Sequence, residues 1–313
     1  MVDTVPAPVR QNEQDGLQAV EGPRARLFSF LDGLAFIAIV VVVFFATVFG
    51  VSYGLKLAHL TLKPGDDQAT STWGLLGELF QIIAVAGGVV AYASWKRGGL
   101  SFIGFAPPQG VRAVLLGLLA GLGLQTAIIV GLSFAGLVQF APMTFALPQS
   151  LGGLAIFVSL FVAVAFVEEG AMRGPLLNAF SGAFGFWPGA ILTSLIFMGL
   201  HLPNTGESII GLANVFWVGL VLAWTRRRTG ALWFAIGFHA AWDFAQSYIF
   251  GVPDSGQVMR GALTTAVVTG PDWLSGGPTG PEGGVLTTIA TALLAGICAL
   301  TWRKAKVEGA DNP

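Results

Sequence analysis

Six ionisable residues stand deep in apolar runs of this sequence, and their types and spacing suggest chemistry. FVEEGAMRG (166–174) holds Glu168, Glu169 and Arg173; LIFMGLHLP (195–203) holds His201; FAIGFHAAWDF (234–244) holds His239 and Asp243. Two of the chain's three histidines are in this set. An ionisable group inside a bilayer costs at least ~2.5–3.5 kcal/mol, so each is a functional-site candidate. On a helix, residues four apart share a face. Glu169 and Arg173 can therefore pair and neutralise each other. Glu168 is then directed about 100° away, off that shared face. His239 and Asp243 are also four apart, so the carboxylate can orient the imidazole, or both can bind one ligand. Phe197, four before His201, packs beneath it.

A carboxylate and two imidazoles at a common level could hold and deprotonate a water, with Glu168 as the base. The imidazoles could instead ligate a divalent metal such as zinc that activates the water. Counted from one membrane face at 1.5 Å per residue, Glu168, His201, His239 and Asp243 all lie roughly 12–21 Å deep.

The elements that must position them follow from composition. The chain has 313 residues, 54% hydrophobic and 11% charged. A soluble domain carries charge on about a quarter of its residues, so this is a polytopic membrane protein. A net charge of -1 gives no reason to expect nucleic acid, and the lone Cys298 excludes a disulfide framework. The 43 glycines suit closely packed membrane helices. Spans need about 17–25 apolar residues. Eight are expected, near 29–57, 73–95, 112–138, 152–178, 187–203, 208–225, 231–250 and 284–302. The fold class is thus an all-α membrane helical bundle. It divides into a polar N-terminal tail (1–27), a membrane domain (28–303) and a C-terminal tail (304–313). The first run is too long for a signal-peptide core and reads as a retained span.

Basic residues test that count. Arg10, Arg24 and Arg26, then Lys96, Arg97 and Arg112, then Arg226–Arg228, then Arg303, Lys304 and Lys306 all fall on one side of an eight-span chain. Lys63 and Arg260 fall opposite. Both termini are therefore expected to be cytoplasmic.

The three motifs also carry a resemblance. EEGAMR resembles the Glu-Glu-x-x-x-Arg motif of the CPBP family, which comprises the type II CAAX prenyl proteases and the bacteriocin-processing and abortive-infection proteins. FMGLH resembles its Phe-x-x-x-His motif, and HAAWD its His-x-x-x-Asn/Asp motif. The core match covers about 150–250. The resemblance implies a helical intramembrane endopeptidase that cleaves a membrane-associated or prenylated peptide, set in a bacterial cytoplasmic membrane. It implies Glu168 as the activator of water, with His201, His239 and Asp243 positioning that water or a metal. Glu169, Arg173 and Phe197 would support them. Asp243 stands where the eukaryotic prenyl proteases carry Asn.

Two other classes compete: a non-catalytic immunity or scaffold protein of the same fold, and a proton-coupled transporter. Remaining polar residues have simpler readings. His59 is interfacial, Glu78 and Asp32 reach headgroups, and Asn214 is a helix-packing amide. Trp187, Trp233 and Trp302 form an aromatic belt. GPEGG (280–284), with Glu282, is a turn into the last span, and Arg226–Arg228 set topology.

Overall fold

The computed structural model describes residues 17–57, 72–96, 99–105, 110–141, 147–259 and 261–302. Residues 1–16 of the N-terminal tail, the C-terminal tail, and His59, Lys63, Arg97, Arg260 and Arg303 lie outside them. So does the side chain of Glu78.

Each of the eight expected runs is helical. The α-helices of eight residues or more among the described residues are α1 (Pro23–Leu57), α2 (Thr72–Trp95), α3 (Gly110–Phe134), α4 (Leu147–Ala171), α5 (Leu177–Phe184), α6 (Phe186–His201), α7 (Ile209–Thr229), α8 (Trp233–Phe244) and α9 (Val285–Thr301). Four stretches are long and apolar enough to cross a membrane: Pro23–Gly54, Gly110–Phe134, Gly153–Phe184 and Ile209–Thr229. The chain is mostly helical but not purely so. A two-stranded antiparallel ribbon pairs Val138–Phe140 with Ala266–Val268. Three-residue strands carry too short an alternation to be read from sequence.

The expected fourth span does not run straight. Gly174 leaves helical geometry (φ -90°, ψ -111°) and Pro175 cannot donate an amide, so Met172–Leu176 forms a π-turn between α4 and α5. A second π-turn, Ala245–Ile249, follows α8. Gly185, at φ 87°, then folds α5 back against α6. A left-handed Gly230 ends α7.

Helix α8 lies between α3 and α4. Small residues permit this: a Cβ on Gly117 would sit 2.7 Å from the Phe238 nitrogen, and one on Gly121 would collide with the Phe238 carbonyl oxygen. Two glycines four apart thus let α3 approach α8 backbone to backbone. The largest apolar cluster grows along this contact from Ile129, Leu132, Phe234, Phe238 and Trp242, with Leu294 of α9. A second cluster joins Phe36 of α1 and Tyr92 of α2 to Leu176, Phe180 and Phe197.

Several peripheral residues differ from expectation. Asp32 is buried and paired with Lys96 rather than reaching outward. Arg226 is 1% exposed, and its Nη2 donates to the Phe102 carbonyl oxygen, so it is a packing residue as well as a topological one. Trp302 and Trp233, both half-buried, pack edge-on against Phe234 and Phe105. Each had a partner close in space that lies far away in sequence.

The close α3–α8 contact is testable. Replacing Gly121 with Ala or Val should destabilise the detergent-solubilised protein by about 1–3 kcal/mol in thermal melts, through overpacking. Gly123, two residues on, faces open space. Gly123→Ala should be neutral or slightly stabilising.

Candidate active site

The site begins with Glu169, which is fully buried on α4 one turn before the Gly174–Pro175 break. Its Oε1 accepts from Arg173 Nη1 at 3.0 Å and faces His239 Nδ1, also at 3.0 Å. One oxygen therefore joins the π-turn to α8. Its Oε2 has no hydrogen-bond partner among the described residues. The expected Glu169–Arg173 pair forms, and it does a further job. It also anchors the His239 imidazole, which the four-residue spacing had paired with Asp243.

His239 lies among three carboxylates. Its Nε2 faces Asp243 Oδ2 at 3.3 Å and Glu168 Oε2 at 3.7 Å. The i,i+4 relation of His239 and Asp243 thus places both on one face, as the spacing implied. Glu168, a third exposed at its side chain, opens into a cavity of about 690 Å³. That cavity is also lined by His201, His239, Asp243 and Glu169. All four residues assigned to water activation meet at one space.

Phe197 links the remaining parts. Its ring lies 4.6 Å from the His201 ring, nearly edge-on, and 6.5 Å from that of His239. The Arg173 guanidinium stacks 4.5 Å over the same ring. The Phe197 carbonyl oxygen accepts from His201 Nδ1 at 2.9 Å, which leaves Nε2 as the nitrogen available to a ligand. Arg173 has room for this because Gly219 of α7 faces it: a Cβ there would sit 3.0 Å from Nη2.

A divalent ion would need three protein donors around one point. Among the described residues, no three His, Cys, Asp or Glu side chains gather in that way. The donor nitrogen of His239 already faces carboxylate oxygens. The residues present do not form a ready three-ligand cage.

Sequence reasoning passed over the acidic end of the cavity. Asp254 and Glu282 both line it. Ser247 Oγ donates to Asp254 Oδ2 at 2.6 Å, and the Ser255 amide donates to Glu282 Oε1 at 2.5 Å. Asn214, read as a packing amide, donates from Nδ2 to the carbonyl oxygens of Glu282 (2.8 Å) and Gly284 (2.9 Å). It also accepts from Thr288 Oγ1 at 2.6 Å. The GPEGG turn is thereby clamped to α7. Burial, reinforced by the negative charge of Asp243, raises the Glu282 carboxyl from 4.5 to about 8. Burial and the charges of Asp243 and Glu282 likewise lift Asp254 well above the usual range. An acidic residue in a glycine-rich turn and an Asn within an apolar run were the available signals, but only the fold connects Asn214 to Glu282 and Gly284.

With this geometry in hand, known proteins can be compared. Residues 150–245 match the family model for type II CAAX prenyl endopeptidases, Rce1-like. That segment is about a third of the chain, and over it the chain is similar to this family. The match contains every residue from Glu168 to Asp243, and the resemblance carried by the three motifs is borne out. An uncharacterized 24.3 kDa protein of Escherichia coli is 32% identical over 84 residues, which is 26% of this chain. The chain spans 38% of that relative's length. No solved structure matches. The family match and the apolar helices together support an integral membrane protein.

Two outcomes follow. Removing the carboxylate by Glu169→Ala should strand Arg173 as a buried charge and cost about 3–5 kcal/mol in thermal melts. Glu282 and Asp254 bind more protons folded than unfolded, because their folded-state values are raised. The stabilising contribution of Glu282 is therefore complete below about pH 4.5 and lost as pH rises toward about 8, and Asp254 acts in the same direction. The melting temperature should fall across that window, and Glu282→Gln should flatten the fall.

Proposed function

We propose that this protein is an intramembrane endopeptidase that hydrolyses a peptide bond of a membrane-associated or prenylated-type substrate. The observation that carries the reading is the Glu168 carboxylate, opening into a cavity it shares with His201, His239 and Asp243. Eight spans, both termini on the cytoplasmic face and a bacterial cytoplasmic membrane belong to the same proposal.

The residues suit water activation as follows. Glu168 accepts one proton of a water molecule. His201, with Nδ1 committed to the Phe197 carbonyl oxygen, has Nε2 available to accept the other hydrogen, which turns the oxygen lone pair toward a substrate carbonyl. The hydroxide oxygen adds to that carbon; the tetrahedral adduct then collapses with loss of the amine. His239, held at Nδ1 by Glu169 and facing Asp243, keeps the Glu168 carboxylate in register. The apolar wall from Phe36, Val40, Phe44, Val167 and Met172 suits a lipid-like or hydrophobic part of the substrate.

The test is cleavage of quenched membrane peptides and prenylated CAAX peptides by purified protein in liposomes. Glu168→Gln should lower kcat by at least about 10²-fold, the range for a positioned base, while the melting temperature stays near that of the parent. Unchanged cleavage in that variant would remove Glu168 from the mechanism.

A further inference from the structure

The cavity holds a carboxyl that the reaction above leaves without work. Glu282 comes from the turn before α9, outside the three motifs, yet it lines the same space as Glu168 and Asp243. The turn is held from several sides. Asn214 grips its backbone at Glu282 and Gly284, Thr287 Oγ1 donates to the Pro281 carbonyl oxygen at 3.0 Å, and Ser208 Oγ donates to that of Gly283 at 3.4 Å. The side chain is fixed through Oε1 by the Ser255 amide.

A basic group, His239 on α8, lies nearby, but its Nε2 faces Asp243 and Glu168, and its charge also acts on Asp254. The acidic groups there are Asp243 on α8, Asp254 in the 251–257 turn and Glu207 before α7. Among the described residues, no salt bridge reaches Glu282. A half-buried carboxyl set among other carboxyls holds its proton more tightly, and the Glu282 carboxyl is pushed up to about 8. A protonated carboxyl is a donor, whereas the other groups assigned to the reaction accept or position.

We propose that Glu282 is a catalytic general acid, which delivers its proton to the amine that leaves when the peptide bond breaks. The proposal rests on the endopeptidase reading above. Water gives one proton to Glu168 and its oxygen to the carbonyl carbon. On collapse of the adduct the C–N bond breaks, and the nitrogen takes the Glu282 proton. The proton on Glu168 returns to solvent and Glu282 is reprotonated, so the cycle closes with one water consumed. The alternative role for Glu282 is structural: an acceptor that pins the 254–257 turn through Ser255. Glutamine keeps that acceptor and loses only the acid proton, so Glu282→Gln separates the two roles.

The experiment compares parent, Glu282→Gln and Glu168→Gln on two versions of one peptide. One has an amide at the scissile position; the other has a thioester, whose thiolate departs without a proton. The general-acid role predicts that Glu282→Gln loses about 10²-fold or more in kcat on the amide. On the thioester it should stay within about threefold. The alkaline limb of the parent's kcat profile, near pH 8, should disappear with the amide substrate. Equal losses on both substrates, or full amide activity, would overturn the assignment. Glu168→Gln should fail on both; if it cleaves both normally, Glu168 is not the base, whereas a parent protein that cleaves neither peptide removes the endopeptidase reading itself. Melting temperatures of all three proteins identify a variant that has merely failed to fold. In that event Glu282→Asp, which retains the acid on a shorter arm, should cleave the amide with an alkaline limb still in its kcat profile; amide cleavage without that limb would overturn the assignment.

Discussion

One carboxylate oxygen ties the site together. Glu169 Oε1 meets both Arg173 and His239 at 3.0 Å, inside a bundle where neither Glu169 nor Arg173 reaches solvent. A buried charge is costly unless it is matched, so these groups are tolerated only when all are in place. Their positions are consequently coupled. Moving the π-turn moves Arg173, releases Glu169 and unseats the His239 ring. The guanidinium stacked on Phe197 extends the same constraint to His201, which hydrogen-bonds the Phe197 backbone. Glu168 can face an open cavity because its neighbour in sequence is so firmly held.

The helices accommodate that constraint through local irregularity and close approach. Gly174 and Pro175 interrupt the helix directly after Arg173, and a π-turn follows directly after the helix that carries His239 and Asp243. Such turns re-aim side chains that a regular helix would send elsewhere. Glycine surfaces at Gly117 and Gly121 let α8 press against α3, and Gly219 leaves room for Arg173. Low side-chain volume at these positions is part of how the polar groups reach one another.

The cavity itself has two characters. One wall is apolar and comes largely from α1; the other is acidic and comes from α8, the 251–257 turn and the GPEGG turn. The acidic wall depends on Asn214, a single buried amide whose three hydrogen bonds join α7 to the last helix and its preceding turn.

Much of this was legible in the chain. Charged residues inside apolar runs are rare enough to identify themselves, and the four-residue spacings of Glu169–Arg173 and His239–Asp243 follow from helix geometry alone. So does the helical, membrane-embedded class, since composition excludes a water-facing surface. Contacts between distant segments were not legible. Glu169 joining His239, Phe197 carrying Arg173, and Glu282 lining the cavity each depend on how helices cross, and no periodicity encodes that. Asp32 and Arg226 looked like end-of-span charges because position in the chain cannot report burial. The short ribbon and the two π-turns escaped because a few residues of local preference are overridden by packing. The residue types and helical periods of the sequence therefore determined which groups could react. Only the tertiary structure decided which of them share one space, because that depends on non-local contact.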